Sequence, residues 1–202
     1  MINIAVFISG RGSNFIALHE NIKKGVIKNA EISVVFSNKE DALGLDYARK
    51  ENIPVIVIPS KDYKDRHEYD NLIVKSLKPY NIGLICLAGY MRIVTDELIS
   101  AYENKIINIH PALLPSFKGL NAQKQAVEYG VKFSGCTVHF VDGGMDSGAV
   151  ILQKVVEVYD DDTEETLSER ILKQEHIAYS EAVSLITDGK IELSGRKVTI
   201  RK

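Results

Sequence analysis

At 202 residues, with 45% hydrophobic and 26% charged side chains, the chain can bury roughly 70% of the surface its unfolded form exposes, and nothing in it suggests a disordered or fibrous protein. A formal net charge of -2 leaves no overall basic excess for a nucleic-acid backbone or an anionic membrane, so neither is an expected partner. The N-terminal MINIAVFISG lacks a basic leader and is too short to span a bilayer, and Cys86 and Cys136 sit in apolar runs without metal-ligand spacing; the expectation is a cytoplasmic protein with two small buried thiols.

The first half alternates short β-branched runs with helical-period segments. Residues 2–8 read as a strand and 14–24 as a helix ending at Gly25. Residues 31–36 form the second strand, followed by a helix that Asp41 could cap and whose Ala42, Leu45 and Ala48 share a face. A third strand at 54–58 precedes a helix at 65–77, with Tyr69, Leu72, Ile73, Ser76 and Leu77 along one stripe and Pro79 as its stop. Residues 82–87 make the fourth strand. Strands that are apolar throughout, separated by amphipathic helices, predict a doubly wound α/β fold, its mostly parallel sheet covered by helices on both faces. The second half is less regular. Strands are expected at 105–109, 134–141 and 149–158, one of them antiparallel. Asp162 or Thr163 could cap a long helix running to about Asp188, with Gly189 in the terminating position, and the tail IELSGRKVTI resembles a hairpin. No linker or repeat divides the chain, so a single domain is expected.

The first strand runs straight into Ser9-Gly10-Arg11-Gly12-Ser13-Asn14 and a helix, an arrangement that aims unpaired N–H groups and the helix dipole at an anion. Phosphate suits it, with Ser13 and Asn14 adding side-chain donors. The dinucleotide fingerprint is only half matched: Phe15 replaces the third glycine, and strand two ends in Ser37-Asn38-Lys39 where an acid would grip a ribose. A turn that binds nothing is the competing reading of the loop alone.

Asn108-Ile109-His110-Pro111 lies at the end of a strand, where open α/β sheets carry ligands, and strand alternation puts Asn108 and His110 on one side. Pro111 and Pro115 restrict the loop that follows, which suits an oxyanion or proton-transfer site; His110 serves equally as a buried structural histidine. Beyond His139 comes Asp142-Gly143-Gly144-Met145-Asp146-Ser147-Gly148, a loop able to bend tightly around a ligand. Asp146 is its candidate acid, with an Asx-turn role as the alternative. Glu175 falls in register with Ile171, Ala178, Ala182 and Leu185, so its carboxylate either needs a partner or sits at an edge in water.

Six ordered motifs resemble the folate-dependent formyltransferase family over nearly the whole chain: Ser9-Gly-Arg-Gly-Ser-Asn14, Phe36-Ser-Asn-Lys39, Leu87-Ala-Gly-Tyr-Met-Arg92, Asn108-Ile-His-Pro-Ala-Leu-Leu-Pro115, Val138-His-Phe-Val141 with Asp146, and Gln174-Glu-His176. The resemblance implies a Rossmann-like formyltransferase fold whose residues 1–100 hold a phosphoribosyl group and whose residues 101–202 are folate-binding and catalytic. It implies transfer of a formyl group from 10-formyltetrahydrofolate, as cosubstrate, to the primary amine of glycinamide ribonucleotide. Asn108, His110 and Asp146 would be the catalytic set, with Gly12, Ser13 and Asn14 on the substrate phosphate and Glu175 on its ribose. The folate would meet Leu87, Met91, Arg92, Ile93, Val94 and Asn108, bordered by Val141, Asp142 and Asp146. The sequence departs from the family pattern at Asn121 and Gln123, where bacterial relatives often carry histidines, and in the hydrophobic segment at Val94 and Thr95; catalytic work is not expected of these positions. No zinc-type spacing occurs, so a site without metal is expected, in a monomer or a homodimer acting on small molecules.

Overall fold

The computed structural model describes residues 1–201. Its elements are β1 (Ile2–Ile8), α1 (Ser13–Lys23), β2 (Ala30–Ser37), α2 (Gly44–Lys50), β3 (Val55–Val57), α3 (Arg66–Leu77), β4 (Leu84–Leu87), α4 (Asp96–Ala101) and β5 (Ile106–His110). There follow α5 (Ala122–Tyr129), β6 (Phe133–Phe140), β7 (Val150–Glu157), α6 (Glu164–Thr187), β8 (Ile191–Ser194) and β9 (Lys197–Ile200). The main sheet has seven strands in the order β3-β2-β1-β4-β5-β6-β7, and β8 and β9 form a separate hairpin. Pairing is parallel from β3 through β5 and antiparallel between β6 and β7, so the mostly parallel α/β sheet with an antiparallel member is present. By their packing the residues group into two compact units, Met1–Asn108 and a second from Ile109 onward. No helix among the described residues is long and apolar enough to cross a membrane.

In the first unit β1 is buried without a break from Ile4 to Ile8, and β4 along its whole length, the pattern of parallel strands covered on both faces. The chain steps outward from β1 to β2 and β3, then returns to place β4 against the other edge of β1. With right-handed crossovers that reversal assigns α1 and α2 to one face and α3 and α4 to the other, and α1 packs on α2 and α3 on α4 accordingly. It also opens a crevice beyond the carboxyl ends of β1 and β4, the place where open α/β sheets accept ligands.

Local chemistry sets the helix ends. The Asp65 side chain caps α3 by accepting from His67 N and Glu68 N, whereas the cap expected from Asp41 is not formed: α2 starts only at Gly44, with Leu43 as its N-cap and no side-chain cap bond. Two helices have no counterpart in the sequence reading. α4 has six residues, too few for a helical period to register, and α5 buries only Ala122 and Ala126, a stripe too weakly apolar to stand out.

In the second unit α6 packs on β6 and β7. It opens with a reciprocal capping box between Thr163 and Thr166 and closes at Gly189, whose φ of 67 supplies the left-handed terminator. Cys86 and Cys136 are both buried, and neither is in a disulfide.

Candidate active site

The loop after β1 is shaped by close backbone approach. Gly12 has φ 71 and is the N-cap of α1, and a Cβ on it would lie 3.2 Å from the Cα of Gly44. Gly44 returns the constraint, since its own Cβ would sit 2.6 Å from Ile8 Cδ1, and its N–H donates to Gly10 O at 3.0 Å. Two facing glycines thus let the start of α2 press on the loop and fix its course. The first-turn N–H groups of α1 have no acceptor within the helix, and there is no acidic side chain in that turn to compete for them. Gly10 and Arg11 are exposed, Ser13 half-buried and Asn14 buried. Phe15, in the position of a third glycine, is fully buried, edge-on to Tyr47 at 5.5 Å.

The segment after β4 lies in the same unit. Of its residues, Leu87 and Val94 are buried, while Met91 and Ile93 are more than half exposed, at 65% and 51%. The Arg92 guanidinium lies 4.5 Å from the centre of the Tyr69 ring. Leu87 pairs with Asn108 across the β4–β5 ladder. Asn108 in turn stands two residues before His110 on β5, hence on the same side of the strand.

In the second unit the structure brings His110 and Asp146 together. His110 is buried, with Nδ1 3.3 Å from Asp146 Oδ2 and Nε2 2.8 Å from the Phe117 carbonyl oxygen. A carbonyl only accepts, so Nε2 carries the proton of that bond. Asp146 also accepts from Gly119 N at 2.8 Å, which ties the loop after Pro115 to the acid. Its φ of 46 is left-handed, uncommon for a residue with a side chain. The Asx-turn duty falls instead to Asp142, whose Oδ1 accepts from Gly144 N at 3.1 Å and Ser147 Oγ at 2.5 Å. Val141 and Asp142 are half-buried at the base of this loop.

Three polar residues of the site were not singled out from the sequence. His139 is buried on β6 and puts Nε2 3.7 Å from Asp146 Oδ1; its Nδ1 donates to Phe140 O at 2.7 Å, and burial lowers its pKa, which keeps the ring neutral. Thr137, fully buried on the same strand, accepts from Leu114 N and donates to Ala112 O, at 3.0 and 2.7 Å. Gln153 on β7 donates to Leu114 O and to Thr137 Oγ1. These two hold the loop that follows His110 from beneath. For Thr137 and His139 the signal in the sequence was two polar residues spaced two apart inside an otherwise apolar strand; Gln153 had none.

Glu175 is buried at 8% exposure, so it is not an edge residue with its head in water. Burial pushes the nearby Cys136 thiol up to about 12, and the Glu175 charge adds to that shift. Asn121 has φ 56 and makes no side-chain cap to α5, and Gln123 lies within that helix.

Comparison with known proteins places these features. A family model described as formyl transferase matches residues 2–183. The chain belongs to the formyl transferase family. Among curated relatives, the trifunctional purine biosynthetic proteins adenosine-3 of Gallus gallus and Homo sapiens are 46% and 45% identical over 192 and 190 residues, 95% and 94% of this chain. The chain spans only 19% of the length of each. Two solved structures match it throughout. Glycinamide ribonucleotide transformylase 1 from Symbiobacterium toebii superposes with a TM-score of 0.97 at 44% identity, covering 100% of this chain and 95% of that one. Phosphoribosylglycinamide formyltransferase from Anaplasma phagocytophilum gives 0.92 at 41% identity, with the same coverage.

Proposed function

We propose that this chain transfers the formyl group of 10-formyltetrahydrofolate to the primary amine of glycinamide ribonucleotide, a step of purine (IMP) biosynthesis, in the cytoplasm. The observation that carries the reading is the buried His110 with Asp146 at 3.3 Å, one residue beyond the neighbour of Asn108 on β5, in a chain 44% identical along its whole length to a glycinamide ribonucleotide transformylase.

Attack of the amine on the formyl carbon places negative charge on the formyl oxygen. Hydrogen-bond donors already in place where charge develops lower that barrier without reorganising. The Asn108 amide supplies such a donor, and the His110 ring, as an imidazolium, supplies a second once its Nε2–H turns from the Phe117 carbonyl to the formyl oxygen; the Asp146 carboxylate compensates positive charge on the ring and orients it. Asp146 then assists the proton moving from the attacking nitrogen to the departing folate nitrogen. The N–H groups at the start of α1, with Ser13 and Asn14, hold the phosphate, and Glu175 accepts from the ribose hydroxyls. Met91, Arg92, Ile93 and Val94 offer the apolar and cationic surface for the pterin, with residues 141–146 along its border. The partners are small molecules, taken up by a monomer or a homodimer.

Incubating the chain with 10-formyltetrahydrofolate and, in turn, glycinamide ribonucleotide, methionyl-tRNA or buffer tests the proposal. Deformylated folate is expected to accumulate only with the ribonucleotide. Asn108→Ala and His110→Ala are each expected to reduce turnover on the order of 10²-fold while the protein stays folded. Folate loss that ignores the ribonucleotide, or normal turnover in folded His110→Ala with both substrates saturating, would overturn it.

A further inference from the structure

Residues 88–95 have no regular secondary structure, yet they present Met91 and Ile93 to solvent in a defined place. A span without ladder bonds keeps its course only if something outside it supplies the hydrogen bonds. Both its ends are held by buried side chains of the same unit. Near the first end, Met91 N donates to Ser9 Oγ at 2.9 Å, Ser9 Oγ donates its own proton to Asn38 Oδ1 at 2.5 Å, and Ser9 N donates to Gly89 O at 3.1 Å. At the far end, Asp70 Oδ2 accepts from Thr95 N at 2.6 Å and from Thr95 Oγ1 at 2.9 Å.

Asp70 is the more telling of the two. It sits on the buried stripe of α3 with only 2% exposure, and both of these bonds come from Thr95. A carboxylate taken from water is costly unless strong hydrogen bonds replace its hydration. A helix that needed only packing would carry an apolar residue here, as it does at Tyr69, Ile73 and Leu77. The stability cost of this acid is therefore spent on fixing one residue, Thr95, which ends the exposed span and occupies the N-cap position of α4 without a side-chain cap bond.

We propose that Ser9 and Asp70 are positioning residues for the formyl donor, pinning the two ends of the span that carries Met91 and Ile93 so that its apolar face is already formed when the pterin arrives. The inference rests on the assignment of residues 91–94 to the folate. Ordering the span in advance removes an entropic cost from donor binding, so its loss appears in donor affinity and not in the chemical step.

The test compares Ser9→Ala, Asp70→Ala, Asp70→Asn and Thr95→Val in the full chain. Ser9→Ala and Asp70→Ala are expected to raise KM for 10-formyltetrahydrofolate about tenfold, as the loss of a buried or charge-assisted hydrogen bond would. For the Asp70 variants turnover at saturation and KM for glycinamide ribonucleotide should stay within about twofold of wild type on this reading. Asp70→Asn keeps an oxygen able to accept from Thr95 and should restore donor affinity. Should Asp70→Ala fail to fold, Thr95→Val and Ser9→Ala carry the test. Calorimetric titration with tetrahydrofolate reads the same change without turnover. Equal rises in both KM values, or a lowered melting temperature with donor affinity intact, would reduce both residues to structural ones and overturn the proposal. A wild-type chain that bound no tetrahydrofolate would remove the folate assignment and the inference with it, whereas wild type and variants binding it equally would overturn the positioning roles alone.

Discussion

Asp146 shows how one residue is made available for chemistry. Its left-handed φ of 46 is tolerated by Asp better than by most residues, and strain of this kind persists only where surrounding contacts hold it. Those contacts are Gly119 N and His110, while Asp142 takes over the turn-closing bonds. Asp146→Asn preserves shape, turn tolerance and an acceptor for Gly119 but removes the charge facing the ring. Turnover is expected to fall on the order of 10²-fold, with the melting temperature nearly unchanged by circular dichroism. Gly44→Ala acts through space: its methyl would meet Ile8 Cδ1 at 2.6 Å and the Gly12 backbone at 3.3 Å, so the Ile8 side chain must move aside and the loop give by a few tenths of an ångström. A destabilisation of about 1–3 kcal/mol is expected, together with weaker binding of the phosphorylated acceptor than of its dephosphorylated analogue, relative to wild type. Site candidates could be read from residue type at strand ends. Asp146 was read as the acid of its loop, but the contact that turns it to the histidine was not legible, because Gly119, which holds it, lies more than twenty residues earlier in the chain. Thr137 and His139 were hidden for a similar reason: a polar residue in an apolar strand declares its role only through what lies across the sheet.

At the level of elements, the sequence was informative where one physical rule dominated. The parallel strands were visible as apolar runs, and α6 as a long amphipathic period bounded by Thr163 and Gly189, because burial and capping there agree. α4 and α5 escaped because they are short and owe their form to tertiary packing. Asp41 misled because a good capping residue is also a good turn residue, and the turn won. The entry to α6 offers a test of how firmly such a boundary is held. Asp162 receives both terminal nitrogens of Arg170, at 2.7 and 2.8 Å, as well as Tyr159 N and Thr166 Oγ1, and Arg170 also stacks on the Tyr159 ring. The Arg170 guanidinium holds the Asp162 carboxyl well below its usual value of 3.8, so the clamp's contribution is complete above that pH and is lost as pH falls through the lowered folded value. Asp162→Ala is expected to cost about 2 kcal/mol, a drop of roughly 4–8 °C in melting temperature at neutral pH. The deficit should shrink in strong acid. An unchanged melting temperature would mean that the clamp decorates the helix start without securing it.

For the molecule as a whole, the histidines decide how stability varies near neutral pH. Burial lowers the pKa of His19, His139 and His176 from 6.5, so each folded ring binds a proton less readily than its unfolded counterpart. Stability supplied by these neutral rings is complete above 6.5 and declines as pH falls towards their lowered folded values, since the unfolded chain then takes up protons that the folded chain refuses. His67 has the opposite sign: its hydrogen bond to Glu97 raises its pKa, so its contribution is present below 6.5 and fades as pH rises through the raised value. That pair is exposed and screened by water and salt, and its share is small beside that of buried rings. The sum is a protein whose urea midpoint should be lower at pH 5.5 than at pH 7.5. His139 is the most buried of the lowered rings, so His139→Gln should flatten the dependence more than His19→Gln or His176→Gln, and His67→Ala should steepen it slightly. A dependence that survived His139→Gln unchanged would mean that this ring takes up a proton in the folded state as freely as in water, and that the neighbour of Asp146 read as neutral is instead charged.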